Sequence, residues 1–322
     1  MRKAVFILII ISIIFLCWIQ PLNIGERDIY IPKNATAREV TQILSENHIV
    51  RIPAEFLFFL KISGKEFSIR SGRYQLQIYK NPIYVINKLI HGGRSDITVT
   101  IPEGLTLREI AEILYKKNLI DNQDKFIQLC NDKNFIKDIG LNVSSLEGYL
   151  FPDTYSFEQN ANAAVIIRKM VENLKNQIKK ITITPVDSLK TTVIIASLVE
   201  KEARYNEERP IIARVFLNRL KSNRPLESCA TVIYAKKLEN PNLVITHLLE
   251  KDLKFDSPYN TYLHSGLPPS PICSPGINSI KAALSPADVD YLYFVSKGDG
   301  YHHFSKTYKE HLQAKEYYNA KK

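Results

Sequence analysis

The sequence predicts an α+β protein with three parts: an N-terminal transmembrane helix, small repeated α+β units, and a larger mixed α+β domain. Three observations support this prediction. An uncharged run covers residues 4–19, two segments 70 residues apart align without gaps, and a long apolar helix follows residue 185. The predicted boundaries are 1–24 for the cytoplasmic tip and membrane anchor, 28–140 for the repeated region and 141–322 for the larger domain.

The composition is that of a folded chain with a basic surface. Of the 322 residues, 45% are hydrophobic and 24% are charged, which excludes a disordered tail or a collagen-like rod. The formal net charge is +10. Such a charge suits an acidic polymer, an anionic membrane surface or nucleic acid as partner, and does not choose among them.

The run from residue 4 to residue 19 (AVFILIIISIIFLCWI) predicts the membrane anchor. Counted on to residue 24, it approaches the roughly 17 to 25 residues that a spanning helix needs. Arg2 and Lys3 precede it and favour a cytoplasmic N-terminus. We therefore expect a single-pass protein of the cytoplasmic (inner) membrane, with everything after Gln20 outside the cytoplasm, in the periplasm if the cell has two membranes.

Two other interpretations of this run are weaker. A cleaved signal peptide needs a small-x-small site, which does not follow, and Trp18 stands instead at the expected membrane interface. A lipid-modified Cys17 is disfavoured because bulky Phe15 and Leu16 precede it.

The repeat aligns residues 31–50 (IPKNATAREVTQILSENHIV) with residues 101–120 (IPEGLTLREIAEILYKKNLI). Each copy predicts a strand end, a turn and an amphipathic helix, with Thr36 or Thr106 as N-cap and a Glu three residues later as in a capping box. The copies are either packing units without a ligand or glycan-binding modules. The second interpretation rests on the resemblance of this strand-helix pattern to LysM modules.

No cofactor or metal is expected. The four cysteines are far apart without a C-x-x-C pair, which argues against a structural zinc site and a disulfide framework. Neither G-x-x-x-x-G-K-[ST] nor G-x-G-x-x-G occurs, so nucleotide chemistry is not expected.

One helix carries the candidate catalytic group. We predict this helix from about Leu189 past Ala203, with Asp187 or Ser188 as N-cap and an apolar middle that is buried on every face. Glu200 follows that apolar stretch, where burial and the helix C-terminus both favour the neutral acid that a general acid needs. The alternative is a solvated helix end in which Glu200 and Glu202 are surface charges.

The remaining segments predict supporting structure. A second helix begins near Glu208 and carries Asn218 near its end, as a surface group or a hydrogen-bond donor behind the site. Residues 257–262 and 266–271 are turn-rich and aromatic, which suits either the wall of a sugar cleft or ordinary loop packing. Residues 291–305 predict a β-hairpin in which His302 and His303 point to opposite faces, followed by a C-terminal helix.

Seven ordered motifs make the chain similar to one known family over nearly its whole length. They are 146–155 (LEGYLFPDTY), 196–202 (ASLVEKE), 215–220 (VFLNRL), 231–234 (TVIY), 257–262 (SPYNTY), 266–269 (GLPP) and 291–295 (YLYFV). The sequence resembles the YceG-like endolytic murein transglycosylases. The resemblance implies a membrane anchor, a LysM-like region and an extracytoplasmic catalytic domain.

The resemblance also implies roles for individual residues. Glu200 matches the family's essential catalytic glutamate, because it is the first Glu of the V-E-K-E motif. The residues implied as substrate-binding groups are Glu147, Tyr155, Asn218, Tyr259, Asn260 and Tyr262. One departure stands out: where the family reads L-Q-[ST]-D-x-T-V, this chain has LESCATV at residues 226–232, which places Glu227 and Cys229 in that loop.

The implied reaction cleaves the β-1,4 bond between N-acetylmuramic acid and N-acetylglucosamine within peptidoglycan strands and leaves 1,6-anhydro ends. The implied role is termination of nascent strand elongation beside peptidoglycan synthases, with no nucleic acid as partner. Two alternatives remain. A hydrolytic muramidase needs a second carboxylate, for which Glu147 and Glu227 are candidates, and a glycan-binding scaffold needs no catalysis.

Overall fold

A computed structural model of the chain describes residues 25–92, 97–158, 161–245 and 247–320. The described chain is a mixed α+β structure, as predicted, and it divides into two compact units. Unit 1 comprises residues up to 97 together with 156–159, and unit 2 comprises 98–155 and the residues from 160 onward. The two copies of the repeat therefore belong to different units, while the division at residue 140 remains a prediction.

Unit 1 is built around an antiparallel pair of strands packed with three helices. Its elements are β1 (Glu26–Ile31), α1 (Ala37–Glu46), α2 (Pro53–Ile62), β2 (Gly72–Gln77) and α3 (Pro82–His91). The strands pair from Glu26 with Gln77 to Ile31 with Gly72. A continuous apolar core contains Leu44, Phe56, Leu60, Leu76 and Leu89, all fully buried.

Two further strands follow on the chain and pair with each other, β3 (Ile97–Thr100) and β4 (Thr154–Phe157). Between them lie the helices of the second repeat copy and one short helix, α4 (Leu107–Lys116), α5 (Gln123–Cys130) and α6 (Lys133–Asp138). Thr106 and Glu109 form a capping box at α4, as Thr36 and Glu39 do at α1. The predicted repeat is thus confirmed in its local structure.

The remainder of unit 2 is mainly helical and ends in a hairpin. Its elements are α7 (Ala163–Lys179), α8 (Lys190–Glu202), α9 (Arg209–Lys221), α10 (Cys229–Glu239), α11 (Ile277–Leu284), β5 (Tyr293–Ser296), β6 (His302–Ser305) and α12 (Tyr308–Asn319). Helix α8 packs against α9 and α11. Residues 257–276 form loops, and the hairpin with its following helix is confirmed.

The start of α8 differs from the prediction. Residues Val186–Leu189 form a 3₁₀ turn, and the N-cap is Leu189, without a side-chain hydrogen bond to the helix. Asp187 and Ser188 lie inside that turn, so the predicted cap was wrong. The turn leads directly into the helix, so its residues are not free to cap it from outside.

The predicted anchor, residues 4–19, lies outside the described residues. Within the described ranges, no helix is long and apolar enough to cross a membrane. The transmembrane helix and the LysM-like character of the repeated region remain predictions.

Candidate active site

Helix α8 places Glu200 at the edge of a buried region. Every residue from Val193 to Val199 is buried, as the sequence predicted. Ser197 accepts a hydrogen bond at its Oγ from the Ile272 N–H (3.1 Å), which holds the loop before α11 along the helix. The C-terminal turn of α8 therefore meets a segment that is distant in sequence.

The Glu200 carboxylate is enclosed and held by two donors. Its side chain is only 7% exposed. Its Oε2 accepts one hydrogen bond from Arg209 Nη1 (2.9 Å) and one from the Gly276 N–H (2.9 Å). Gly276 is the N-cap of α11, whose positive dipole end faces the carboxylate. Glu200 is therefore not a solvated surface charge.

Both donors bind the same carboxylate oxygen of Glu200, and one of them is the charged Arg209 guanidinium. Arg209 itself is buried, and its Nη1 also donates to Ser279 Oγ. The site is thus arranged to hold a carboxylate in one fixed orientation.

A second carboxyl group lies beside this pair, on Glu103 in the turn before α4. An ideal Cβ at Gly276 would lie 1.8 Å from Glu103 Oε1, so this carboxyl occupies the space beside the glycine. Partial burial raises the pKa of Glu103, and the charge of Glu200 raises it further, while Arg209 opposes the shift. Glu103, Glu200 and Arg209 form what we call the carboxyl cluster.

Sequence reasoning missed Glu103 and Arg209. A signal for Glu103 existed in the repeat, where Pro102-Glu103-Gly104 in the second copy replaces Pro32-Lys33-Asn34 in the first. Arg209 begins the helix predicted near Glu208, and its position there predicts no role in the site. Its burial against Glu200 depends on the packing of α9 on α8, which local sequence does not encode.

Glu147 and Tyr259 both contact Tyr234 in unit 2. Glu147 is buried and accepts hydrogen bonds from the Leu107 N–H (3.0 Å) and the Tyr234 hydroxyl (3.0 Å). Burial raises the pKa of Glu147 to about 8, although these two donors oppose the shift. Tyr259 stacks edge to face on Tyr234 and bonds Ser270 Oγ (2.7 Å).

A cavity of about 720 Å³ adjoins these side chains. Glu147, Tyr234, Tyr259 and Ser270 contribute to its lining, together with Lys237. Lys237 also forms an ion pair with Glu109 of the α4 capping box (3.1 Å). This part of unit 2 thus joins the second repeat copy to α10.

Three of the predicted binding residues hold backbone segments. Asn260 is fully buried, and its amide donates to the carbonyls of Leu253 and Phe255. The Asn218 amide donates to the carbonyls of Val289 and Tyr291. The buried Tyr155 hydroxyl donates to the Phe151 carbonyl (2.6 Å). These amides and this hydroxyl are engaged in shaping the unit.

The unusual loop residues have specific partners. Cys229 Sγ lies 3.1 Å from the Tyr262 hydroxyl, and burial raises the pKa of that phenol. Glu227 pairs with Arg219 (3.1 Å). A hydrolytic role for Glu227 or Glu147 would therefore require breaking an existing ion pair or buried hydrogen bonds.

His302 is bonded to Glu208 through its ring and its backbone. Its Nδ1 lies 2.8 Å from Glu208 Oε2, and its backbone N–H donates to Glu208 Oε1 (2.8 Å). In the part of the chain that the structure describes, no group of three or more His, Cys, Asp and Glu side chains could hold a metal ion.

Comparisons with known proteins agree on one family. The model of the YceG-like family matches residues 29–317. The endolytic murein transglycosylase of Bacillus subtilis (strain 168) is 34% identical over 318 residues, covering 92% of this chain and 85% of the relative.

A second endolytic murein transglycosylase, from Streptococcus pneumoniae serotype 2, is 31% identical, and the match covers 83% of this chain but only 53% of that longer relative. The crystal structure of a YceG-like protein from Listeria monocytogenes superposes with a TM-score of 0.58 at 29% identity, covering 90% of this chain and 99% of that one. Because the family model and the relatives match most of its length, the chain belongs to the YceG-like family.

Proposed function

We propose that this protein is a lytic transglycosylase that cleaves the bond between N-acetylmuramic acid and N-acetylglucosamine within peptidoglycan strands. The observation that carries the proposal is the Glu200 carboxylate, enclosed at the end of α8 and oriented by Arg209 and Gly276. Relatives similar over most of this chain bear the name endolytic murein transglycosylase, which supports the substrate and the reaction.

The chemistry uses the substrate's own hydroxyl as nucleophile. A protonated carboxyl group donates to the leaving glycosidic oxygen as the C1–O bond breaks. The resulting carboxylate accepts the proton of the muramyl C6 hydroxyl, whose oxygen bonds to C1 and closes the 1,6-anhydro ring. Intramolecular attack offsets the absence of a separate nucleophile. The two donors to Glu200 Oε2 stabilise the anion that the second step requires.

The proposal extends to location and partners. The apolar run at residues 4–19, preceded by Arg2 and Lys3, supports a single-pass anchor in the cytoplasmic membrane with the described residues outside the cytoplasm. An enzyme tethered there meets strands as they are made. We therefore propose that it terminates strand elongation beside peptidoglycan synthases.

Hydrolysis is the second candidate, and one observation favours it. Glu103 brings a second carboxyl group to the site, and ordinary glycosidases use two carboxyl groups across the bond. The products separate the two reactions. A transglycosylase leaves anhydro ends, whereas a muramidase leaves reducing ends that are heavier by one water.

The test is digestion of uncrosslinked glycan strands by the full chain in detergent, followed by product masses. We expect 1,6-anhydro ends from the parent protein. We expect Glu200→Gln to reduce cleavage at least ~10³-fold, because the amide neither donates nor accepts the transferred proton. The exposed Glu239→Gln on α10 is the matched control and keeps the parent rate.

Three outcomes contradict the proposal in different ways. Reducing ends from the parent protein assign it to the hydrolases. Equal cleavage by Glu200→Gln and the parent removes Glu200 from the chemistry. Strand binding without cleavage by the parent, under conditions where a relative cleaves, supports the non-catalytic scaffold instead.

A further inference from the structure

Two carboxyl groups lie against one glycine in unit 2. Gly276 donates its N–H to Glu200 Oε2 (2.9 Å). On its other side, the place of a side chain at residue 276 is taken by the Glu103 carboxyl, since an ideal Cβ would lie 1.8 Å from Oε1 and 2.1 Å from Cδ. Glycine at this position lets both carboxyl groups approach the start of α11.

The turn that carries Glu103 is fixed by backbone hydrogen bonds. The Gly104 N–H donates to the Ser274 carbonyl (2.8 Å), and the Ser274 N–H donates to the Leu105 carbonyl (2.7 Å). Lys201 Nζ of α8 donates to the Gly104 carbonyl (3.2 Å). Gly104 has a φ of +79°, a conformation that suits glycine. The place of Glu103 beside α8 is therefore set by the fold.

The positively charged groups near Glu103 and Glu200 do not pair one-to-one with the two carboxyl groups. From α9, Arg209 bonds Glu200 and Ser279, while its buried Nε has no acceptor within the described part of the chain. From α8, the Lys201 ammonium bonds a carbonyl. The nearby Cys273 thiol is neutral, because burial raises its pKa well above the ordinary value.

The Arg209 guanidinium thus faces two carboxyl groups, and its Nε donor makes no hydrogen bond within the described part of the chain. Both carboxyl groups adjoin Gly276, and an ideal Cβ at Gly104, next to Glu103, would lie 3.7 Å from Glu200 Cγ. Two negative charges in this position repel each other, so the arrangement favours one proton for the two groups. The raised pKa of Glu103 agrees with this balance, since burial and the charge of Glu200 both raise it.

We propose that Glu103 and Glu200 form a carboxyl pair that shares one proton, which makes Glu103 a second functional group of this site. The inference rests on the proposed transglycosylase function. As the C1–O bond breaks, the pair's proton passes to the leaving oxygen of N-acetylglucosamine. As the C6 oxygen bonds to C1, the C6 hydroxyl proton returns to the pair. The pair ends the cycle with one proton, as it began.

The first test measures the rate of strand cleavage between pH 4 and pH 9 in two variants. Glu103→Gln removes the carboxyl group. Gly276→Ala keeps it but displaces it, because the new methyl group takes its place, and the φ of −74° at residue 276 accepts alanine. Both changes affect the flexible end of the exposed Glu103 side chain, so we expect the fold to be kept. Melting temperatures near that of the parent check this.

We expect both variants to cleave at least tenfold more slowly at pH 7, with the high-pH limb of the profile shifted to lower pH by about one unit, because the site loses a like charge that retains the proton. The control Glu239→Gln keeps the parent profile. A Glu103→Gln rate within twofold of the parent at every pH, with an unmoved limb, overturns the pair.

The second test does not depend on catalysis. In protein labelled with ¹³C at the glutamate carboxyl carbons, the Glu103 signal is assigned by its loss in Glu103→Gln. We expect its titration midpoint to move to lower pH in Glu200→Gln, because the neighbouring charge is gone. An unchanged midpoint overturns the pair even if the parent cleaves strands. A moved midpoint in a protein that releases no anhydro ends leaves the pair standing and rejects the transglycosylase.

Discussion

The two copies of the repeat fold alike and differ in what surrounds them. In both, a capped helix ends before a residue with positive φ, His48 or Asn118, and a buried Phe follows in the next helix. The first copy presents Lys33 and Asn34 before its helix. The second presents Glu103 and Gly104, and this turn lies against the Glu200 site.

The difference shows how a duplicated unit gains a chemical role without a change of fold. Helix start, helix length and core contacts are the shared part, because the apolar and capping positions are the same in both copies. The change lies in two turn residues. Gly104 replaces Asn34 at a position that has positive φ in both copies, and the carboxyl group of Glu103 replaces the ammonium group of Lys33.

The largest expected effect on stability comes from the equivalent core residues of the copies. Phe56 and Phe126 are both fully buried, so Phe56→Ala and Phe126→Ala should each cost about 3–5 kcal/mol of unfolding free energy. Calorimetry should assign the loss to a different transition in each variant, since the residues lie in different units.

The same two variants, Phe56→Ala and Phe126→Ala, test whether the two copies differ in function. Below both transitions, Phe56→Ala should cleave strands within twofold of the parent, whereas Phe126→Ala should slow cleavage because it loosens the copy that carries Glu103. Equal loss of cleavage in the two variants contradicts the functional difference between the copies.

An intermediate effect is expected at Glu147, which aligns with Gln77 when the repeat is extended by the same offset. Burial raises the pKa of Glu147 to about 8 in the folded protein, against 4.5 as the ordinary value. Between these pH values the unfolded chain is ionised and the folded one is neutral, so the folded state loses stability as pH rises. At about 1.4 kcal/mol per unit, the loss is of the order of a few kcal/mol by pH 9.

Glu147→Gln places the first copy's residue in the second copy and removes this titration. Urea unfolding from pH 5 to pH 9 should show a declining free energy of unfolding in the parent and a flatter curve in the variant. Two parallel curves would mean that Glu147 does not have a raised pKa in the folded state.

The smallest effect is expected at the two helix caps. Thr36→Ala and Thr106→Ala each remove one side-chain hydrogen bond to the helix and disrupt a capping box, which should cost about 1 kcal/mol. Thr106→Ala should cost slightly more, because Glu109 of that box also pairs with Lys237 of α10. Urea denaturation measures both, and a larger cost for Thr36→Ala would reverse the comparison.

Features that depend on neighbouring residues were predictable from sequence. The capping boxes, the helix beginning at Arg209, the hairpin of Tyr293–Ser296 with His302–Ser305 and the buried faces of α8 all follow from short-range patterns. Glu200 could be found because it directly follows an apolar helix. The family's motifs then singled it out among the acidic residues.

Features that depend on distant segments were not predictable. The contact of Glu103 with Gly276 joins a turn of the second repeat copy to the start of α11. Asn260 was expected to reach a sugar, whereas its amide holds carbonyls of its own loop. An aromatic, turn-rich sequence is compatible with both arrangements, and only the path of the loop decides between them.

Unit 1 is made of two separate segments of the chain, and this has a consequence for its folding during synthesis. This unit consists of residues up to 97 and a short return at 156–159, where Phe157 is buried and Glu158 forms an ion pair with Arg73. A ribosome must therefore deliver the whole second repeat copy before unit 1 has all its parts. Completion of the N-terminal unit waits for the next one, and a truncation placed at residue 97 would leave it short of a buried aromatic side chain.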